Sequence, residues 1–281
     1  MTPRSRFIAI PEHEIHITEW GAPDAPALVL WHGLARTGRD FDELAAGLSE
    51  HWRVICPDTI GRGFSSWARD PDADYCLDAY AGQALALLDA LGIGQTAWLG
   101  TSMGGIIGMR IASGPQAARL KSLIVNDIGP ELPQPAIDRI LAYTGTPPVF
   151  ATVAEAEARL RQIYLPFGPA EDDFWQRMAE TSVRRRGDGS LTLHYDPRIV
   201  RQFEVHPEDF FTWDRYETIA TPMHLFRGAQ SDLLTQDIAA KMQTCGPKPD
   251  ITLFDDCGHA PSLSQPRAIA TVKQVLCDLA G

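Results

Sequence analysis

The residues best suited to chemistry begin with Gly100-Thr101-Ser102-Met103-Gly104, a G-x-S-x-G that follows the apolar run Thr96–Leu99 and precedes helical periodicity. A strand that turns directly into a helix forces its turning residue into a strained conformation. The residues two before and two after it must then lack side chains to avoid collision. Such a turn lifts the Ser102 hydroxyl out of the sheet and sets a helix N-terminus beneath it. The Met103 N–H is left facing whatever oxygen the nucleophile attacks. The spacing predicts a nucleophilic serine.

A serine hydroxyl needs a base. Of the eight histidines, His13, His16 and His224 fall in expected strands, His51 at a helix end, and His194 and His206 in a stretch far from the strand pattern. His259 stands in Asp256-Cys257-Gly258-His259-Ala260-Pro261, just beyond the last apolar run. Loops at the carboxyl ends of parallel strands are where an α/β sheet meets its ligands, so His259 is the expected base. The imidazole in turn needs a carboxylate to fix its tautomer and stabilise its cation. Asp232, in the loop Arg227-Gly228-Ala229-Gln230-Ser231-Asp232, ranks first, although it or Ser231 could instead cap the following helix. Asp127, which ends another apolar run, ranks second. A second donor for the oxyanion is expected from the Leu34 N–H in Trp31-His32-Gly33-Leu34. His32 is expected to hold that loop by hydrogen bonding and to do no chemistry.

These positions require a particular scaffold. Ala27–Trp31, Val54–Cys56, Ala97–Leu99 and Leu123–Val125 are short continuous apolar runs, as expected of strands covered on both faces. Helical stretches lie between them at about 40–50, 77–91 and 103–113, the second with Leu85, Leu88 and Leu91 on one stripe. Ile15 and Ile17 alternate with polar residues, which predicts an antiparallel strand ahead of them. The alternation lapses from Gly129 to about Trp213, where seven prolines between 130 and 169 and charged helical stretches at 153–163 and 172–181 replace it. It resumes with Met223–Phe226, a helix at 236–242, Ile251–Phe254 and a last helix at about 267–279. The expected fold class is therefore α/β, with a mostly parallel central sheet flanked by helices. The core comprises 1–129 and 216–281, and 130–215 is an inserted helical segment.

Composition narrows the partners. The 281 residues carry 25 Lys plus Arg against 36 Asp plus Glu, a formal charge of −11, which repels polyphosphate. The lone basic run, Arg184-Arg185-Arg186, reads as a solvated turn, so no nucleic acid is expected. Five scattered cysteines without a CxxC pair argue against a zinc cluster or disulfide framework and for a reducing compartment. The four-residue apolar run Phe7–Ile10 is too short for a secretory signal, and no stretch has membrane-span length. The expectation is a cytoplasmic protein with a small-molecule substrate and no membrane partner, for which a homodimer is one candidate assembly.

Taken in order, the His32-Gly33 turn, Asp58-Thr59-Ile60-Gly61-Arg62-Gly63-Phe64-Ser65, the Gly100–Gly104 turn, and the late Asp232 and His259 resemble the α/β-hydrolase superfamily over essentially the whole chain. The resemblance implies that 130–215 is a cap. It implies that Gly61 and Gly63 shape their loop while Asp58 and Arg62 tie it down. Serine at the turn, where dehalogenases and epoxide hydrolases of this fold carry Asp, implies acyl transfer through an acyl-enzyme, with no metal or cofactor. The leading expectation is a hydrolase of a small carboxylic ester or lactone. The alternatives are a carbon–carbon bond hydrolase of meta-cleavage type, a ligand-sensing protein on the same fold, and cofactor-free oxygen chemistry. Arg36, Tyr143, Val149, Phe150, Leu233 and Ala260 are the candidate substrate contacts.

Overall fold

The computed structural model describes residues 2–280. Eight strands form the main sheet: β1 (Arg4–Ile10), β2 (His13–Trp20), β3 (Ala27–Trp31), β4 (Arg53–Pro57), β5 (Thr96–Thr101), β6 (Leu120–Asn126), β10 (Met223–Gly228) and β11 (Asp250–Phe254). Three further short strands, β7 (Val149–Phe150), β8 (Val183–Arg185) and β9 (Leu191–Leu193), make a separate small sheet in the order β7-β9-β8. The main sheet runs β1-β2-β4-β3-β5-β6-β10-β11. β1 and β2 are antiparallel to their neighbours, and the pairings from β4 to β11 are parallel.

The apolar runs are continuous because both faces of the sheet are covered. Leu28 and Leu30 of β3, Leu99 of β5, Ile124 of β6 and Phe226 of β10 face one core. Helices α1 (Asp42–Leu48) and α11 (Pro266–Ala280) cover that side. The alternate residues Val29, Trp31, Trp98, Leu123 and Val125 face the other core, where the Trp31 and Trp98 rings stack at 5.1 Å. That face is covered by α3 (Leu77–Ala90) and α4 (Met103–Ala112), with the one-turn α2 (Pro71–Asp74) ahead of them.

Between β6 and β10 the chain leaves the sheet and builds α5 (Gln134–Thr144), α6 (Val153–Ile163), α7 (Asp172–Ser182), α8 (Gln202–Val205) and α9 (Trp213–Tyr216). Thr152 starts α6 by accepting a hydrogen bond from the Glu155 N–H. This segment is not purely helical, because it also holds the small β7-β9-β8 sheet. Strands of two and three residues are too short to display a period of two, so the sequence pattern passes over them. The basic run is likewise not a simple turn: Arg184 and Arg185 belong to β8, and Arg184 lies over the Trp67 ring at 5.2 Å. Buried polar ties fasten the segment to the sheet side. Arg110 pairs with Asp209 at 2.9 Å, and the Tyr75 hydroxyl donates to Asp196 at 2.8 Å. After β10 come α10 (Gln236–Met242), β11 and α11. Among the described residues no helix is long and apolar enough to cross a membrane.

Candidate active site

β5 turns straight into α4 at Ser102, whose φ of 54° and ψ of −119° lie where L-residues are strained. The glycines around it are required by contact. A Cβ on Gly100 would come within 2.1 Å of the Gly104 backbone, and one on Gly104 within 2.1 Å of the Trp31 carbonyl oxygen. The turn is held by hydrogen bonds from Ser102 N–H to the Asn126 carbonyl (3.0 Å) and from Gly105 N–H to the Ser102 carbonyl (2.8 Å).

His259, on the loop after β11, sets Nε2 2.9 Å from Ser102 Oγ. Its Nδ1 is 2.8 Å from Oδ2 of Asp127, whose side chain is fully buried. Three donors converge on that carboxylate: the imidazole, the Gly228 N–H at 2.7 Å and the Ser231 hydroxyl at 2.6 Å. The structure thus brings Ser102 and His259 together as the spacing predicts, but the acid beside the imidazole is Asp127 and not Asp232. Asp232 is half exposed and forms a bidentate ion pair with Arg139, 2.8 Å at each contact. The physical reason is local: β6 and β10 are parallel neighbours, so their carboxyl-end loops lie side by side. In the β10 loop it is Ser231, one residue earlier, that turns inward, and it donates to Asp127. Asp127 N–H bonds the Phe226 carbonyl at 2.9 Å, which locks the two loops. Ser231 is a positioning residue that sequence reasoning considered only as a helix cap. Asn126 is a second one: its Nδ2 donates to Thr101 Oγ1 and to the Pro261 carbonyl, both at 3.0 Å, which fastens the histidine loop to β5.

Gly33 lies against the nucleophile, since a Cβ there would sit 3.5 Å from Ser102 Cβ. The Gly33-Leu34 turn thus lies beside the serine, and Leu34, Ser102 and Met103 share one cavity wall. His32 braces the turn: Nδ1 is 2.7 Å from the Gly33 carbonyl, and Nε2 accepts the Thr59 N–H at 2.9 Å. Burial lowers its pKa to about 4, so it is a neutral strut. Arg62, fully buried, donates to the Leu34 carbonyl (2.7 Å), the Ile60 carbonyl and the Tyr80 hydroxyl. It therefore grips the oxyanion loop itself as well as its own loop. Asp58 bonds His16 and the Gly38 and Phe64 N–H groups. A Cβ on Gly63 would fall 2.1 Å from the Asp58 carboxylate. Cys257, two residues before His259, has its thiol pushed up to about 12 by burial and is no rival nucleophile.

A cavity of about 820 Å³, open to solvent, meets Ser102 and His259. Arg36, Tyr143 and Ala260 line it, and Leu233 lines a second cavity that also reaches Ser102. Val149 and Phe150 line neither, being on β7, with Val149 exposed and Phe150 packed in the core. Sequence reasoning missed Arg139, Tyr164 and Phe167 on the wall, because cap helices carry no motif that tells which face looks inward. Arg36 belongs to the buried part of that wall. It pairs with Asp40 (2.8 and 2.5 Å) and lies over the Tyr164 ring at 4.8 Å. Burial opposes its charge, but Asp40 outweighs burial and keeps the guanidinium protonated.

Known proteins share this architecture. A sequence profile of the Alpha/beta hydrolase family matches residues 28–272. A 3-hydroxybutyrate-oligomer hydrolase of Cupriavidus necator is 37% identical over 272 residues, covering 93% of this chain and 92% of that one. Lipase LipV of Mycobacterium tuberculosis is 31% identical over 267 residues, covering 92% and 96%. A crystal structure of an alpha/beta hydrolase from Novosphingobium aromaticivorans superposes with a TM-score of 0.86 at 32% identity, covering 98% of each chain. The strand order, the strained serine turn and these matches over nearly the full length lead to one conclusion: the chain belongs to the alpha/beta hydrolase family, on its esterase-like branch.

Proposed function

We propose that this hydrolase cleaves short carboxylic esters through an acyl-enzyme on Ser102, and that its substrates are oligomers of a 3-hydroxy acid such as 3-hydroxybutyrate. The observation that carries the first half is the unbroken row Ser102 Oγ, His259, Asp127, with contacts of 2.9 and 2.8 Å, opening into the large cavity. His259 Nε2 takes the Ser102 proton as Oγ bonds to the ester carbon. The carbonyl oxygen becomes an oxyanion held by the Leu34 and Met103 N–H groups. His259 then gives the proton to the departing alkoxide; in the second half a water loses its proton to His259 as it adds to the acyl carbon, and His259 returns that proton to Ser102 Oγ as the acid leaves. Asp127 keeps the proton of the neutral imidazole on Nδ1 and balances the imidazolium that forms. Among the described residues, no step asks for a group beyond these.

Two features support the substrate class. One is the identity to the 3-hydroxybutyrate-oligomer hydrolase over nearly both chains. The other is Arg139 on the cavity wall, half exposed and held by the half-exposed Asp232. A surface partner of this kind is worth little in water, so Arg139 can exchange it for the terminal carboxylate of an oligomer. Arg36, buried and fully engaged with Asp40, shapes the wall behind it. The test is release of 3-hydroxybutyrate from its dimer and trimer. The expected outcome is turnover that Ser102→Ala abolishes. Cleavage of p-nitrophenyl butyrate without cleavage of either oligomer would remove the substrate class. A wild type as inert as Ser102→Ala on all three would remove the hydrolytic reading.

A further inference from the structure

Two cavities meet at the nucleophile. The second, also open to solvent, shares Leu34, Ser102 and Ile140 with the first and is otherwise walled chiefly by apolar side chains such as Leu77, Ile106 and Phe210. His259 lines the first chamber but not the second. Acyl transfer from Ser102 then assigns the two halves of an ester. The C–O bond that breaks hands its electron pair to an alkoxide, which must receive the proton held on His259 Nε2. The alcohol half therefore occupies the chamber that His259 lines. The acyl half, bonded to Ser102 Oγ, occupies the other.

Besides Ser102, one polar side chain lines the acyl chamber. Gln202, at the start of α8, is 2% exposed. Its Nε2 donates to the Ile199 carbonyl at 2.7 Å, which settles which end of the amide is which. Its Oε1 accepts no hydrogen bond among the described residues. Unlike the amide oxygen of Asn126, it is not sealed in by packing. Buried acceptors in folded proteins have donors, and Gln202 is part of the chamber wall.

We infer that Gln202 Oε1 accepts a hydrogen bond from the 3-hydroxyl of the acyl group, so that this amide makes the site select 3-hydroxyacyl over plain acyl esters. The inference rests on the acyl-transfer reading above. Arg139 would recognise the carboxylate end of the alcohol half and Gln202 the hydroxyl of the acyl half, so both ends of a hydroxyacid dimer would be read.

The experiment compares p-nitrophenyl 3-hydroxybutyrate with p-nitrophenyl butyrate. The two share a leaving group, so the ratio of their kcat/KM values reads the acyl chamber alone, and the active fraction of a preparation cancels. Wild type should favour the hydroxyacyl ester by about tenfold, the effect of about one net hydrogen bond. Gln202→Met should bring the ratio close to one while cleavage of the butyrate ester persists. Should Gln202→Met fail to fold, Gln202→Asn, which keeps the amide but withdraws it, reads the same ratio. A wild type without preference for the hydroxyl, or a ratio unchanged in the variants, overturns the inference. Failure of wild type to cleave either ester removes the acyl-transfer reading, and this inference with it.

Discussion

Replacing Asp127 by Asn tests which carboxylate serves His259. The Asp127 oxygens accept three hydrogen bonds, from Gly228 N–H, Ser231 Oγ and the imidazole. An Asn side chain offers only one oxygen. If that oxygen keeps the Gly228 N–H, the amide nitrogen faces His259 Nδ1 and donates to it. The imidazole must then carry its proton on Nε2, where it can no longer accept the Ser102 proton. The same change in a serine–histidine–aspartate site lowers kcat by about 10⁴. Four decades at about 1.4 kcal/mol each amount to about 5.5 kcal/mol of lost transition-state stabilisation. Asp232→Asn breaks only a half-exposed ion pair with Arg139, so stability should change by at most about 1 kcal/mol and kcat on a neutral ester should hardly move. The assay is steady-state cleavage of p-nitrophenyl butyrate, with circular dichroism to establish that both variants are folded. A folded Asp127→Asn with near-normal kcat beside a crippled Asp232→Asn would refute the assignment.

The other predictions are narrower. Arg139→Met should raise KM for 3-hydroxybutyrate oligomers by about fivefold, a partly screened ion pair's worth, and leave p-nitrophenyl butyrate unaffected; equal effects on both substrates would contradict the carboxylate role. His32 titrates near 4 in the fold against an ordinary 6.5, because burial favours its neutral form. The unfolded chain therefore binds the proton more readily between those values, and stability falls as pH drops through that window, by up to about 3 kcal/mol from this group. Histidine NMR that finds the His32 ring charged at pH 5.5 would contradict it. A Cβ at Gly82, mid-helix in α3, meets nothing within 4 Å, so Gly82→Ala should stabilise by about 0.5–1 kcal/mol in urea melts. Gly100→Ala, whose Cβ would strike the Gly104 backbone at 2.1 Å, should instead be severely destabilised; a folded, fully active variant would deny the tight turn.

What the sequence reveals about this fold follows from how local each signal is. The main-sheet strands β3, β4, β5, β6 and β10 announce themselves because burial on both faces makes their apolar runs continuous, and α6 and α10 are legible to the residue. Ser102 is legible because steric exclusion at Gly100 and Gly104 writes a pattern into adjacent positions. His259 follows from its place beyond the last strand. The acid is not decided by such reasoning: Asp127 and Asp232 both lie in loops that follow parallel strands, and only the lateral packing of β6 against β10 determines which loop points inward. The cavity wall is harder still. Arg139, Tyr164 and Gln202 lie on short pieces of a proline-broken segment, where which face looks inward depends on tertiary contacts such as Arg110 with Asp209. Arg36 shows the same limit, because a loop arginine reads as exposed until Asp40 and Tyr164 are seen to enclose it.

The most direct test of the account is to quench the enzyme during the first turnovers of a p-nitrophenyl ester and map the covalent adduct by peptide mass spectrometry. One acyl group is expected on Ser102, absent from Ser102→Ala and strongly reduced in His259→Ala. Steady hydrolysis with no adduct on Ser102, or an acyl group on another residue whose removal abolishes turnover, would contradict it.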